Sequence, residues 1–269
     1  MEIKEAIISR KSIRKYTGES LTIKDKELLL SYLSQPKNLI GPFGNVIKII
    51  FKDLDLKDEK IATYGFVKKA PSFLVTICKR NQENLLDLGF VVENLILFLQ
   101  QNKISTCWLG GTFQRKKLQV EEELEEGDFI PIISPIGYAA EQAHLFGKII
   151  RKMAKADSRL DFDSLFFQND FQSPIISEKW KELLEYVRLA PSASNKQPWR
   201  IVITKDEKAH FFIARTPKYG SSLGYDIQMV DMGIALAHYV IVSGKTEIII
   251  QNPKITLPNN NYSYLFSVK

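Results

Sequence analysis

Apolar positions along this chain recur with two periods, and the alternation between them outlines its elements. Ile23, Leu28, Leu29, Tyr32 and Leu33 follow helical spacing behind Thr22 and Asp25, which suit a helix start, so residues 22–34 are predicted to be helical. Residues 3–10 read as a shorter helix. A loop of Pro, Gly and Asn runs from Gln35 to Asn45, and strands are predicted at Val46–Phe51 and Ser72–Cys78. Residues 83–101 are apolar around most of the helical circumference, the pattern of a helix buried on most sides. Trp108-Leu109-Gly110-Gly111-Thr112 reads as a glycine turn before a short helix from Arg115, and Phe129–Ile136 as a buried strand ending at Gly137.

The order then partly repeats. Glu178–Leu189 is predicted as a helix with Trp180, Leu183, Leu184 and Val187 on one face. A loop between Pro191 and Pro198 leads to strands at Arg200–Thr204 and Ala209–Ile213, then to a second apolar helix at Ile227–Val242. Strands near Glu247–Ile250 and Tyr262–Val268 close the chain. Individual residues repeat as well: Asp87-Leu88-Gly89 lines up with Asp231-Met232-Gly233, Ser31-Tyr32-Leu33 with Glu185-Tyr186-Val187, and Ile47–Phe51 with Ile201–Lys205. Three matches in the same order indicate a duplicated unit. We expect one repeat over 1–172 and a shorter one over 173–269, packed about a pseudo-twofold axis like a fused homodimer.

Composition narrows the class. The chain has 269 residues, with 45% hydrophobic and 25% charged, which is ordinary for a globular protein. No apolar run approaches the roughly 20 residues of a membrane helix, and the opening Met-Glu-Ile-Lys-Glu has no signal-peptide pattern. Two cysteines, Cys78 and Cys107, make no disulfide framework or metal spacing and fit a reducing compartment, so a cytoplasmic protein is expected. The net charge of +6 raises the question of nucleic acid. Its signs are interleaved, however, as in Lys57-Asp58-Glu59-Lys60 and Glu178-Lys179-Trp180-Lys181-Glu182. Only Arg115-Lys116-Lys117 and Arg151-Lys152 are single-signed, so a mixed, solvated surface is the better reading.

Two distant stretches carry candidate chemistry. Arg10-Lys11-Ser12-Ile13-Arg14 offers guanidinium forks and a hydroxyl to phosphate oxygens; equally, it could be a basic helix end complementing the helix dipole. Ala190-Pro191-Ser192-Ala193-Ser194-Asn195-Lys196-Gln197-Pro198-Trp199 holds polar side chains between prolines, which also suits an ordinary loop before a strand. Gly110 and Gly111 permit close backbone approach to a ligand. His144, His210 and His238 are scattered and read as structural or exposed, and Trp199 as core.

Together these stretches resemble the nitroreductase family, and the likeness covers most of the chain. It is nearest to members in which two repeats are fused and Phe166-Phe167 precede an Asp-Phe step, here Asp170-Phe171. The resemblance implies an α+β fold of nitroreductase type and one FMN between the repeats. Arg10, Lys11 and Ser12 would bind its phosphate and Arg14 would lie near the pyrimidine edge. Gly110 and Gly111 would approach N5, and Pro191, Ser192 and Asn195 would line the ring and ribityl side. Arg159, within Asp157-Ser158-Arg159-Leu160, takes a further phosphate position, with Arg151 a weaker stand-in. Each half keeps what the other lacks: Gln35–Asn45 has lost the polar loop motif, Pro174–Glu178 has no arginines, and Asn252-Pro253-Lys254 stands where glycines would be. One site is therefore expected. The implied activity is an FMN-dependent oxidoreductase that takes hydride from NADH or NADPH and reduces nitroaromatics, quinones or similar small acceptors by a ping-pong cycle. No catalytic side chain, metal, nucleic acid or membrane is expected, and the chain is expected to act as a monomer. The alternative is a flavin-binding carrier or sensor with little turnover.

Overall fold

The computed structural model describes residues 1–53, 63, 65–111, 113–141 and 158–269. The run Lys57–Lys60, Thr112, His144, Arg151, Lys152 and Asp157, all singled out in the sequence, lie outside the described residues. The predicted helices form nearly as expected: α1 Ile3–Ser9, α2 Ile23–Leu33, α3 Gln82–Gln101, α4 Glu178–Arg188 and α5 Ile227–Ser243. Their starts are chemical. Thr22, Asn81 and Asp226 accept hydrogen bonds from the backbone N–H of Asp25, Asn84 and Gln228, satisfying donors that a first turn leaves free. Gly244, at φ 70°, ends α5 in the left-handed conformation that glycine adopts without strain.

Two sheets flank the helices. In the first, β1 Lys48–Asp53, β2 Ser72–Lys79, β5 Ile133–Gly137 and β3 Ser105–Thr106 lie in the order β1-β2-β5-β3, and β4 Asp128–Phe129 also pairs with β2. In the second, β6 Phe166–Gln168, β7 Trp199–Ile203, β8 Ala209–Ala214, β10 Tyr262–Val268 and β9 Ile248–Ile249 lie in the order β6-β7-β8-β10-β9. The paths β1-β2-β5-β3 and β7-β8-β10-β9 are each four strands paired antiparallel throughout.

Several details depart from the pattern reading: the short strand β3 was not expected, and the helix expected from Arg115 is a 3₁₀ turn over Arg115–Leu118. The single strand expected over Phe129–Ile136 is two, β4 and β5, because Pro131 between them has no N–H for a ladder. Strand β6 was not expected. It belongs to the first half of the chain but pairs in parallel with β7, Phe166 opposite Ile201, so residues of 1–172 complete the second sheet.

The centre of the molecule is the crossing of α3 and α5. Gly89 and Gly233 meet there. A Cβ on Gly89 would fall on the carbonyl oxygen of Val230 and 3.0 Å from the Gly233 Cα, and one on Gly233 would fall on the Leu86 carbonyl and 2.9 Å from the Phe90 nitrogen. Backbone meets backbone, which only glycine allows. Around this point Leu85, Leu88, Val92, Ile96, Met229, Met232 and Leu236 are buried in one core with Trp199, Phe211 and Phe266 of the second sheet. Helix α1 packs on α3, α4 and α5.

Gly233→Val tests the crossing. Forcing apart two backbones should cost about 3 kcal/mol or more, a fall of about 10 °C in the unfolding midpoint for a chain of this size. An unchanged midpoint by calorimetry would show that the helices do not meet there.

Candidate functional site

Three separated segments converge on one cavity of about 330 Å³ beside the α3–α5 crossing. Arg10, the residue capping α1, leaves the helix with extended backbone (φ −59°, ψ 128°). The chain then runs along the first sheet: Ile13 N–H donates to Thr106 O at 2.9 Å, and Lys68 N–H to Arg14 O at 2.8 Å. Ile13 and Tyr16 are buried, and the Tyr16 hydroxyl reaches Ile13 O and Pro135 O. Extended backbone alternates its side chains, so anchoring Ile13 inward sends Ser12 and Arg14 to the other face, into the cavity lining with Arg10 and Lys11.

Arg10 is held from behind by a buried polar cluster. Glu93 on α3 is fully buried; its Oε1 lies 3.9 Å from Arg10 Nε and 3.0 Å from His238 Nε2 on α5, and its Oε2 accepts from Trp108 Nε1 at 2.9 Å. His238 Nδ1 lies 2.8 Å from Tyr186 O, which can only accept, so Nδ1 donates there. The Glu93 carboxyl faces the other ring nitrogen, so Arg10, Glu93, His238 and Trp108 form one buried polar cluster. Arg10 Nε and Arg14 Nη1 are both buried with no hydrogen-bond partner among the described residues. Beneath Ser12 lies Cys107, whose thiol burial pushes up, while Arg14 opposes that push.

The second wall is the loop Pro191–Pro198. Ser194, Asn195 and Gln197 have φ of 47°, 55° and 48°, a left-handed conformation that non-glycine residues adopt at a cost of about 1 kcal/mol each or more. Side chains hold it. Ala193 N–H donates to Asp231 Oδ1 at 2.8 Å, Gln197 N–H to Ser192 Oγ at 2.8 Å, and Leu160 N–H to Gln197 Oε1 at 2.9 Å. Asn195 donates to Ser158 O at 2.7 Å and accepts from Arg159 Nη1 at 3.3 Å, while Arg159 Nη2 donates to Leu189 O at 3.0 Å. These bonds tie the end of the first half to the loop of the second.

The third wall is the Trp108–Gly110 turn with α5. Gly110 lines the cavity, and a Cβ there would meet Ile227 Cδ1 at 2.5 Å and Ile132 Cδ1 at 3.1 Å. The Tyr225 hydroxyl is shared between Gly110 O at 2.7 Å and Pro131 O at 2.8 Å, and the Tyr219 hydroxyl lies 2.9 Å from Ser194 Oγ. The segment between β8 and α5 therefore spans the glycine turn and the polar loop.

The cavity brings together Arg10, Lys11, Ser12, Arg14, Gly110, Arg159, Pro191, Ser192 and Asn195 from the sequence expectation. Gly111 is not part of the lining; it is exposed, and its missing side chain makes room for Leu223, whose Cδ2 would be 2.8 Å from a Cβ. Asn195 lines the cavity with its amide engaged at both ends by Ser158 and Arg159. Sequence reasoning missed Asp231, Glu93 and the role of His238. Their signal was present: ionisable residues inside strongly apolar helices are costly unless paired or used. Trp199 is fully buried, as read, and so is His238.

Residues 2–243 match a family profile described as "Putative TM nitroreductase". Among solved structures, the chain is similar to a "putative nitroreductase" of Thermotoga maritima, with 20% identity, a TM-score of 0.60, and coverage of 100% of this chain and 93% of that one. A nitroreductase family protein from Clostridium novyi NT is 16% identical, with a TM-score of 0.42 over 66% of this chain and 99% of its own. A nitroreductase with bound FMN from Bacteroides fragilis is 18% identical, with a TM-score of 0.42 over 52% of this chain and 90% of its own. No curated protein matches the chain.

Glu93→Ala checks the buried cluster. Removing one partner from buried charges should cost about 3–5 kcal/mol in urea unfolding at neutral pH, and Glu93→Gln, which keeps the shape, should cost less. A loss under about 1 kcal/mol would place the cluster among weak exposed pairs.

Proposed function

This chain belongs to the TM nitroreductase family and has its α+β fold, and on that footing we propose that it is an FMN-dependent NAD(P)H oxidoreductase acting on small electron-poor acceptors. The observation that carries the reading is a pair of buried guanidinium nitrogens that make no hydrogen bond among the described residues, Arg10 Nε (3.9 Å from the Glu93 carboxylate) and Arg14 Nη1, on residues lining one cavity with Lys11, Ser12 and Arg159. Buried donors without acceptors cost about 1–3 kcal/mol each, and an anionic, hydrogen-bonding ligand would relieve that cost. The donor set fits a phosphorylated flavin. Arg10, Lys11, Ser12 and Arg159 would hold the phosphate, and Arg14 would sit by the pyrimidine edge, where a fixed cation favours a ring that gains negative charge. Pro191 and Ser192 would bound the ribityl and ring side, with Asn195 fixing Arg159.

Bound there, the flavin supplies hydride chemistry that no side chain could. The protein binds, orients and excludes water. Gly110 keeps a backbone wall close to the cavity, while Ile132, Ile227, Val230 and Ile234 give an apolar surface suited to a planar ring. Such a surface suits nitroaromatics and quinones as acceptors. Among the described residues no histidine lines the cavity, so the chain itself need not supply an acid or base.

We also propose the repeat organisation, 1–172 and 173–269. The four-strand antiparallel path in each sheet and the Gly89–Gly233 contact support it. Both walls of the cavity come from one chain, so a monomer suffices for the site. No helix among the described residues is long and apolar enough to cross a membrane.

The test is steady-state oxidation of NADH and NADPH by the FMN-loaded protein with a nitroaromatic or a quinone. Acceptor-dependent turnover is expected; a flavin-loaded protein with none would favour the carrier reading. Arg10→Ala with Arg14→Ala should weaken FMN binding by about 100-fold or more, the loss of two charged contacts. Unchanged affinity would remove the phosphate assignment.

A further inference from the structure

We propose that Asp231 is a cofactor-contacting residue: as a carboxylic acid, it donates its Oδ2 proton to an acceptor atom of the flavin held in the cavity. This rests on the flavin reading above. Asp231 lies on α5, lines the cavity and is 2% exposed. Its Oδ1 accepts the Ala193 N–H, and its Oδ2 is buried with no hydrogen-bond partner among the described residues. A buried carboxyl oxygen left so is unusual, and its position in the lining makes a bound molecule the natural partner.

The chain contains its own control. Asp87 holds the corresponding position on α3, two residues before Gly89 as Asp231 is before Gly233. Both oxygens of Asp87 are satisfied by the protein: Oδ1 accepts from Phe43 N–H at 2.9 Å, and Oδ2 from Asn45 N–H at 2.9 Å and Asn45 Nδ2 at 2.8 Å. The Gly41–Asn45 loop closes over it, and Asp87 is not in the cavity lining. The same residue is sealed by a loop on one helix and left open to a cavity on the other. Asp231 is thus more than a loop anchor, because one oxygen would serve that purpose.

The choice of donor over acceptor follows from the surroundings. Among the described residues no cation pairs with Asp231. The titratable groups that act on it are Asp226 at the start of α5 and the Tyr219 and Tyr225 hydroxyls from the β8–α5 segment, none of which favours a negative charge. Arg10, Lys11, Arg14 and Arg159 share the cavity lining without forming an ion pair to it. Burial raises Asp231 to about 8, so it carries its proton at neutral pH. A neutral donor tolerates a ring that becomes more negative on reduction, whereas a carboxylate would repel it.

FMN affinity of the full chain, measured by fluorescence titration between about pH 6 and about pH 10, tests this, two units either side of the Asp231 value. Raising the pH ionises Asp231 and removes the donor. Wild type should hold its affinity below about pH 8 and lose at least about tenfold by pH 10. Asp231→Asn keeps an acceptor for Ala193 and puts an N–H₂ donor at Oδ2. It should match wild type within about threefold at neutral pH and lose the pH dependence. Asp87→Asn should follow the wild-type curve. The assignment is overturned if Asp231→Asn keeps the wild-type pH profile, or binds tenfold more weakly at neutral pH, which would make Oδ2 an acceptor. If wild type binds no FMN, the flavin reading falls and this inference falls with it; binding with the wrong profile overturns this inference alone.

Discussion

The structure depends on two helices touching through their backbones. Where α3 and α5 cross, Gly89 and Gly233 leave no room for any side chain, and the nearest atoms are carbonyl oxygens and amide nitrogens of the other helix. The contact fixes how far apart the helices stand, and through them the two sheets. It also sets the depth of Glu93, His238 and Asp231, all carried on these helices close to the crossing. A cavity between the halves survives beside it because α1, the Gly110 turn and the Pro191–Pro198 loop roof the space rather than fill it.

Within that cavity the polar groups are held more tightly than an ordinary surface loop would hold them. Three left-handed residues in the Pro191–Pro198 loop persist because Asp231, Ser192, Gln197 and the Ser158–Arg159 strap satisfy the loop on both sides. Arg10 is nearly buried against Glu93, which is itself tied to His238 and Trp108. Such arrangements are costly to build, and together they present a preorganised set of donors and one open carboxyl oxygen to the cavity.

Much of this was legible in the residues. Helix spacing and caps located the five helices within a residue or two, and the Arg10–Arg14 and Pro191–Asn195 stretches do meet at one cavity although some 180 positions separate them. What stayed hidden was of two kinds. Strand β6 is only Phe166–Gln168, too short for a period to register, and its partner β7 lies in the other half of the chain. Asp231, Glu93 and His238 each sit in an apolar helix where the pattern announces burial but not the partner, which comes from a distant element. Two adjacent glycines read alike in the sequence, yet Gly110 lies in the cavity wall and Gly111 outside it, against Leu223.

The two halves are not equivalent in use. Around Asp87 the Gly41–Asn45 loop supplies every partner and closes the space, whereas around Asp231 the loop supplies one and leaves the cavity open. On the proposed reading a single flavin site per chain follows, with walls from both halves of the chain. The direct measurement is the ratio of FMN to protein chain, from the visible absorbance and mass of the reconstituted protein. One FMN per chain is predicted; two, or none under saturating flavin, would contradict the account.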